Sequence, residues 1–220
     1  MPRIDIKELT VTYLLKDKST IKAIDNLSFS FPSNKTSIIM GENGCGKSTL
    51  LKAICCFFRF DGHIFIDGVD VESQPIKNFN LAYVDQDFNL YPQFDVFDNI
   101  AFPLKKIKLS ADEIDKRVNQ IAKELEINNC LSRKPKELSI GQQQRVAFAR
   151  ALVRKPNILL LDEVFSNLDE PTHEKTRTYL KEMIKAYNIT CLYVTHNVND
   201  ALKMGDNIYT MTPSSIRKSK

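Results

Sequence analysis

A glycine-rich stretch, GENGCGKST, constrains more than any other feature what this chain can fold into. Residues 41–49 fit the pattern G-x-x-x-x-G-K-[ST], and they follow an apolar run at residues 38–40. Residues 50–54 are typical of the start of a helix. Glycines let the backbone turn tightly and bring N–H groups close to phosphate oxygens, while a helix N-terminus adds partial positive charge. The alternative is an ordinary glycine-rich turn, but the strand–loop–helix context favours binding of a nucleoside triphosphate.

Two side chains of this phosphate loop carry the chemistry of a triphosphate site. Lys47 supplies a positive charge for the β- and γ-phosphates, and the Ser48 hydroxyl is the expected magnesium ligand. Cys45 is interpreted as a spacer rather than as a nucleophile. We expect the whole loop to contact the nucleotide, namely Gly41, Glu42, Asn43, Gly44, Cys45, Gly46, Lys47, Ser48 and Thr49.

Composition sets broad limits on the class of protein. The length of 220 residues suffices for one large α/β domain or two small lobes. The formal net charge of +4 is too small to indicate a nucleic-acid partner. The five cysteines form no C-x-x-C pair, which predicts reduced thiols in a cytosolic protein. We expect no secretory signal, and no apolar run is long enough to cross a bilayer. If the protein works at a membrane, something else must therefore hold it there.

Strand-like patterns flank the phosphate loop. Residues 4–11 and 23–31 alternate between apolar and polar, with a polar loop at 16–20 between them. Residues 63–66 and 69–71 predict a hairpin that turns at Asp67 and Gly68. We therefore expect an antiparallel β region on both sides of the loop.

Helical patterns dominate the middle of the chain. A short buried strand at 81–84 runs into Gln86, and residues after it are interpreted as a loop because they contain Pro92 and Pro103. Ser110 with Glu113 has the spacing of a capping box at the start of a helix. A second such spacing occurs at residues 139 and 142, and the helix that it starts is stopped at residues 155–157.

Polar residues follow two further core strands. An apolar strand at 158–161 ends in Asp162 and Glu163, and a strand at 190–195 ends in His196; a helix begins between them at residues 169–171. Strands that alternate with helices imply a mostly parallel sheet with functional residues at its carboxyl edge. The phosphate loop, Gln86 and these three side chains should therefore converge.

These side chains suit hydrolysis of a bound nucleoside triphosphate. Asp162 can hold magnesium, and Glu163 is placed to polarise the attacking water. The alternative is that the two carboxylates only cap the next segment, and that Gln86 and His196 are ordinary polar residues. The phosphate loop in the same chain favours the functional interpretation.

In these motifs and in their order, the chain resembles the ATP-binding subunit of an ABC transporter of bacterial type, and the resemblance covers nearly its whole length. The matching stretches are the signature LSIGQ at residues 138–142, the Q-loop at Gln86, the Walker B strand at 158–163, the D-loop at 166–169, the switch histidine His196 and an adenine-stacking aromatic residue, Tyr13. The resemblance implies an α/β P-loop NTPase fold with a mostly parallel central sheet, an antiparallel β subdomain and a helical subdomain at about 88–155. All of these would form one domain of residues 1–220.

The resemblance also implies a mechanism shared by two subunits. ATP and Mg²⁺ are the expected cofactors, with Ser48, Gln86 and Asp162 at the metal and Glu163 and His196 as catalytic residues. Two cassettes, identical or paired, would close head-to-tail so that Ser139, Gly141 and Gln142 meet the partner subunit's ATP and Asp169 links the two sites. Transmembrane permease subunits are implied as partners, with a solute-binding protein for an importer. The expected location is cytoplasmic, at the inner face of the cell membrane.

Departures from the family pattern and rival functions bear on this interpretation. Ile140 stands where LSGGQ has a glycine, Val164 follows Glu163 where proline or alanine is frequent, and the chain ends about two dozen residues after His196, which makes a C-terminal regulatory domain unexpected. A soluble ABC ATPase of DNA repair or translation is disfavoured, because this chain has a single cassette and no heptad run. A module that binds ATP without cleaving it is disfavoured by the presence of Glu163 and His196. Residues 90–104 and 211–213 resemble those of bacterial small-solute importer ATPases, which implies import. Lipoprotein-release and efflux cassettes are similar in these segments, so an exporter or lipoprotein-release system is the alternative. The transported substrate is not encoded in this chain.

Overall fold

The computed structural model describes residues 2–165 and 170–219. They divide into two compact units, the first comprising residues 2–81, 157–163 and 184–219, and the second residues 82–156, 164–165 and 170–183. The strands are β1 (Ile4–Leu14), β2 (Thr20–Phe31), β3 (Thr36–Met40), β4 (Asp61–Ile66), β5 (Val69–Asp70), β6 (Leu81–Val84), β7 (Ile158–Asp162), β8 (Thr190–Val194), β9 (Asn207–Thr212) and β10 (Ser215–Lys218). The α-helices are α1 (Lys47–Ile54), α2 (Val96–Lys105), α3 (Ala111–Glu124), α4 (Ile140–Leu152), α5 (Glu170–Ala186) and α6 (Val198–Met204).

The first unit contains an antiparallel sheet in the order β2-β1-β4-β5. Ile4 of β1 lies opposite Phe31 on one side and Ile66 on the other, and all three side chains are buried. The hairpin predicted at Asp67 and Gly68 is confirmed, and both residues have positive φ (51° and 77°). That backbone is the one a two-residue hairpin turn needs to match the twist of its strands.

The parallel sheet predicted from the sequence is also confirmed. Within the first unit its strands follow the order β10-β9-β3-β8-β7, with β3 parallel to both β8 and β9, and β7 parallel to β8. Every residue of β7 and β8 is buried, as expected for a sheet covered on both faces. Because β3, β8 and β7 are neighbours, the residues that follow them emerge at the same edge.

The interpretation of the residues around Pro103 as a loop was wrong, because they form helix α2. The Asp95 carboxylate accepts a hydrogen bond from Asp98 N at 2.7 Å and caps this helix. Val96, Ile100 and Leu104 form a stripe that is completely buried. A proline inside a helix costs about 3 kcal/mol, and burial of these three side chains outweighs that cost.

The two predicted capping boxes differ in completeness. At the start of α3, Ser110 Oγ accepts from Glu113 N at 3.3 Å, but the Glu113 carboxylate accepts from Arg117 Nε at 2.6 Å. At the start of α4 the box closes in both directions, since Gln142 N donates to Ser139 Oγ and Ser139 N donates to Gln142 Oε1 at 3.0 Å. The second box is therefore confirmed in full and the first only in its serine half.

Two further predictions concern the extent of the elements. The predicted start of α5 at Asp169, like the whole D-loop at 166–169, lies outside the described residues. The assignment of residues 1–220 to one domain with a helical subdomain at 88–155 stays a prediction.

Across 2–165 and 170–219, every helix is too short or too polar to traverse a lipid bilayer.

Candidate nucleotide-binding site

The phosphate loop connects β3 to α1, as the sequence predicted. Lys47, the first residue of α1, is only 5% exposed. Its ammonium group donates to Gly41 O at 2.9 Å and to Glu42 O at 2.8 Å, so the charge is held inside the loop by the backbone that surrounds it. A buried ammonium group needs such partners because desolvation penalises its charge.

At Gly46 of the loop, glycine is required for a steric reason. Gly46 has φ of 97°, and a Cβ atom there would lie 2.4 Å from Ala23 O. Gly44 also has positive φ, at 81°, but no atom lies within 4 Å of the position of its Cβ. The loop is therefore packed against β2 at Gly46 and open at Gly44, which leaves room for a phosphate group to approach the backbone.

A hydroxyl and a carboxylate meet beside the loop. Ser48 Oγ donates to Asp162 Oδ1 at 2.8 Å, and Asp162 is buried at the end of β7. These are hard oxygen donors, which Mg²⁺ prefers, and Mg²⁺ is bound in nucleotide sites by one or two protein oxygens together with phosphates and water. Within residues 2–165 and 170–219, no cluster of three or more His, Cys, Asp or Glu forms a self-sufficient metal site. The two residues thus fit a metal that arrives with the nucleotide.

Glu163 and His196 lie side by side at the same sheet edge. His196 Nδ1 is 3.3 Å from Glu163 Oε2, and the imidazole ring is 61% exposed. Glu163 has φ of 50°, a left-handed conformation that is uncommon for a residue other than glycine. Its N–H donates to Val194 O at 3.0 Å, which fixes the start of the turn after β7. Such strain persists only where the surroundings enforce it and is frequent at functional sites.

Tyr13 lies beside the end of the phosphate loop. Its hydroxyl is 3.2 Å from Thr49 Oγ1, and its ring meets Phe58 edge-on at a centroid distance of 5.7 Å. The ring is partly exposed, so it offers an aromatic surface next to the loop. Sequence reasoning identified Tyr13 but missed Phe58, which belongs to no motif.

The remaining predicted residues belong to the second unit. Gln86 lies in an exposed turn after β6, and Ser139 is the exposed N-cap of α4. Gly141 and Gln142 occupy the first turn of that helix, where the side chain of Ile140 is 52% exposed. Their contacts with a nucleotide stay predictions.

Two side chains of α4 that sequence reasoning missed hold nearby backbone segments. Arg150 donates to Phe88 O at 2.6 Å and to Asn89 O at 2.8 Å, just after Gln86, and its guanidinium lies 5.2 Å from the centre of the Tyr91 ring. Burial lowers the pKa of Arg150 despite the opposing influence of Tyr91 and Asp85. The sequence offers no signal for this contact, because it joins residues about sixty positions apart.

The second of these side chains is Gln144. It is completely buried, and its Nε2 donates to Val164 O at 2.5 Å. A buried amide in an otherwise apolar helix face requires such a partner. The signature helix is thereby joined to the residue that follows Glu163 in the chain.

Comparison with known proteins identifies the family. The family described as "ABC transporter" matches residues 24–166. The molybdate/tungstate import ATP-binding protein WtpC of Pyrococcus abyssi is 44% identical over 92% of this chain and 59% of its own length. The trehalose/maltose import ATP-binding protein MalK of Thermococcus litoralis is 41% identical over 87% of this chain and 53% of its own. The chain thus spans only between one half and six-tenths of the length of these relatives.

Solved structures agree over the full chain. The dimeric structure of MJ0796, a bacterial ABC transporter cassette, is 32% identical and superposes with a TM-score of 0.89 over 99% of this chain and 98% of its own. The same cassette bound to ADP and Pi in a post-hydrolysis state matches equally well. With the family match, the fold and the ordered motifs in agreement, this chain belongs to the ABC transporter family.

Proposed function

We propose that this chain is the ATP-binding and ATP-hydrolysing subunit of an ABC transporter that imports a small solute. The observation that carries the proposal is the contact of Glu163 with His196, 3.3 Å apart. It lies at the sheet edge where Ser48 also meets Asp162. A phosphate-binding loop, a magnesium-type oxygen pair and an acid–imidazole pair in one place are the parts that hydrolysis of a triphosphate requires.

The chain's own residues divide the work of hydrolysis among them. Lys47 and the loop N–H groups bind the phosphates and offset their charge. When bound by Ser48 and Asp162, Mg²⁺ supplies electrostatic stabilisation of the charge that develops on the phosphate oxygens. Glu163 accepts a hydrogen bond from the attacking water and orients it. His196 restrains the Glu163 carboxylate and contacts the γ-phosphate, while Tyr13 stacks on the adenine.

The proposed site is completed by a second cassette. Ser139, Gly141 and Gln142 present an exposed, capped helix start, whose polar groups and dipole suit a γ-phosphate. Gln86 senses the metal or water and connects the site to the permease. The related MJ0796 cassette was solved as a dimer, which supports this arrangement. Hydrolysis would then depend on the concentration of the protein.

Transport itself requires proteins other than this chain. The relatives WtpC and MalK are named as import ATP-binding proteins, which supports import rather than export. Because their named solutes differ, the solute is selected by transmembrane permease subunits and a solute-binding protein. We place the chain on the cytoplasmic face of the membrane, bound to the permease.

The test of this proposal is the ATPase rate of Glu163→Gln. This change removes the charge while it keeps the shape, and loss of a group that activates water lowers kcat by about 10²- to 10⁴-fold. Glu72→Gln makes the same chemical change at an exposed position of the first unit and should leave the rate as in the wild type. Equal rates for Glu163→Gln and wild type would refute the catalytic assignment.

A further inference from the structure

A buried hydrogen bond spans the segment that carries His196. The Tyr193 hydroxyl of β8 donates to Asp200 Oδ2 of α6 at 3.0 Å. Tyr193 is 0% and Asp200 1% exposed, and only six residues separate them in the chain. The bond therefore closes a short loop with His196 inside it.

The polar character of this pair needs an explanation. A buried carboxylate and phenol are no more stabilising than well-packed apolar side chains of the same size, because both lose their hydration. What a buried polar pair supplies is a single defined geometry. Burial, and then the nearby Asp200, raises the pKa of Tyr193, so its hydroxyl stays a donor at neutral pH.

The residues next to His196 are tied on both sides. Thr195 N donates to Ile39 O at 3.3 Å, and Thr195 Oγ1 accepts from Asn197 N at 3.0 Å. Asn197 Oδ1 caps α6 by accepting from the N–H groups of residues 199 and 200 at 2.8 and 3.2 Å. The backbone around His196 is thus held against β3 and at the start of α6.

Helix α6 depends on tertiary contacts for its position. It has seven residues, and a helix of that length is marginal by itself in water. Its buried residues are Asp200, Ala201 and Met204, and among these Asp200 is the one with a directional bond to β8. The side chains of Val198 and Leu202 are more than half exposed and hold the helix weakly.

We infer that Tyr193 and Asp200 are positioning residues that set the distance between His196 Nδ1 and Glu163 Oε2. Their bond fixes α6 against β8. The position of α6 in turn fixes residues 195–197, which connect it to β8, and these residues orient the His196 imidazole toward the Glu163 carboxylate. The kinetic test of this inference rests on the proposed ATPase function, whereas the NMR test of the position of His196 does not. Their bond joins β8 to α6 and involves no atom of the phosphate loop, so we expect ATP affinity not to depend on it.

The first experiment measures kcat and KM for ATP. Tyr193→Phe removes only the hydroxyl group, and we expect kcat to fall about 10- to 100-fold with KM unchanged, the size of effect that a small misplacement of a catalytic group produces. In a His196→Ala background, Tyr193→Phe should cause no further loss. Tyr209→Phe removes the hydroxyl of another buried tyrosine, on β9, and should leave kcat unchanged. An equal loss from Tyr193→Phe with and without His196 would overturn the inference.

A second readout needs no enzymatic activity. The chain has three histidines, so the imidazole resonances of His196 can be assigned by NMR against the His196→Ala variant. Tyr193→Phe should shift these resonances, and Asp200→Asn should shift them less because its amide oxygen can still accept. If the wild type lacks ATPase activity and the shift occurs, the proposed function fails and the positioning role stands. Unchanged His196 resonances in folded Tyr193→Phe would overturn the positioning role.

Discussion

The phosphate loop offers a matched pair of substitutions that differ in one physical respect. Gly44 and Gly46 both have positive φ, but a Cβ at Gly46 would lie 2.4 Å from Ala23 O, whereas a Cβ at Gly44 would meet no atom within 4 Å. Gly44→Ala should therefore cost only the left-handed backbone penalty of about 1–2 kcal/mol. Gly46→Ala carries the same penalty and must also displace a backbone carbonyl.

The size of the added cost follows from the contact distance. Non-bonded heavy atoms rest at about 3.5 Å, so the carbonyl of Ala23 or the loop must move by roughly 1 Å. Forced overpacking of this kind costs about 1–3 kcal/mol. Gly46→Ala should thus be less stable than Gly44→Ala by about 1–3 kcal/mol.

Urea unfolding followed by circular dichroism measures this difference. With a slope of about 2 kcal/mol per molar urea, the two midpoints should lie roughly 1 M apart. Gly44→Ala serves as the control for any effect of the methyl group on backbone entropy. Equal midpoints, or a lower midpoint for Gly44→Ala, would refute the steric argument.

Three further outcomes are expected. Ser139→Ala should impair ATP hydrolysis, while ATP binding by the isolated chain persists. Mixing the Ser139→Ala and Lys47→Ala variants should restore part of the activity. Full ATPase activity of the wild-type chain that does not depend on protein concentration would contradict the shared site. Gln144→Ala should leave Val164 O unpaired and lower the free energy of unfolding by about 1–3 kcal/mol, against little change for the exposed Gln120→Ala, as measured by urea titration. Burial raises the pKa of Cys55 to about 12, so only about 0.1% is thiolate at pH 9 and iodoacetamide should label it after unfolding but not before, as mass spectrometry would show.

The sequence predicted those parts of the fold that rest on local chemistry. The Ser139–Gln142 capping box, the turn at Gly68 and the apolar run of β7 at residues 158–161 each have a pattern of a few adjacent residues, and each formed as expected. Helix α2 was missed because Pro103 is a local signal against a helix, whereas the burial that stabilises it is a tertiary effect.

In the candidate site, too, features with a local sequence pattern could be predicted and features that depend on tertiary contacts could not. The contact of Ser48 with Asp162 could be predicted, because parallel strands place their carboxyl ends together. The left-handed backbone of Glu163 and the hold of Arg150 on the loop after Gln86 could not, since neither is encoded in nearby residues. Both depend on neighbours that only the folded chain supplies.

The internal bonds of Lys47 have a consequence for nucleotide affinity. A lysine side chain loses up to about 2 kcal/mol of conformational entropy when it is immobilised. Here the two carbonyl bonds, to Gly41 and Glu42, immobilise it when the chain folds. That loss therefore belongs to the free energy of folding and not to the free energy of binding, so the loop is pre-organised for the phosphates of the proposed ATP. A variant that lacks this lysine should differ from wild type in the rigidity of its empty loop as well as in its affinity.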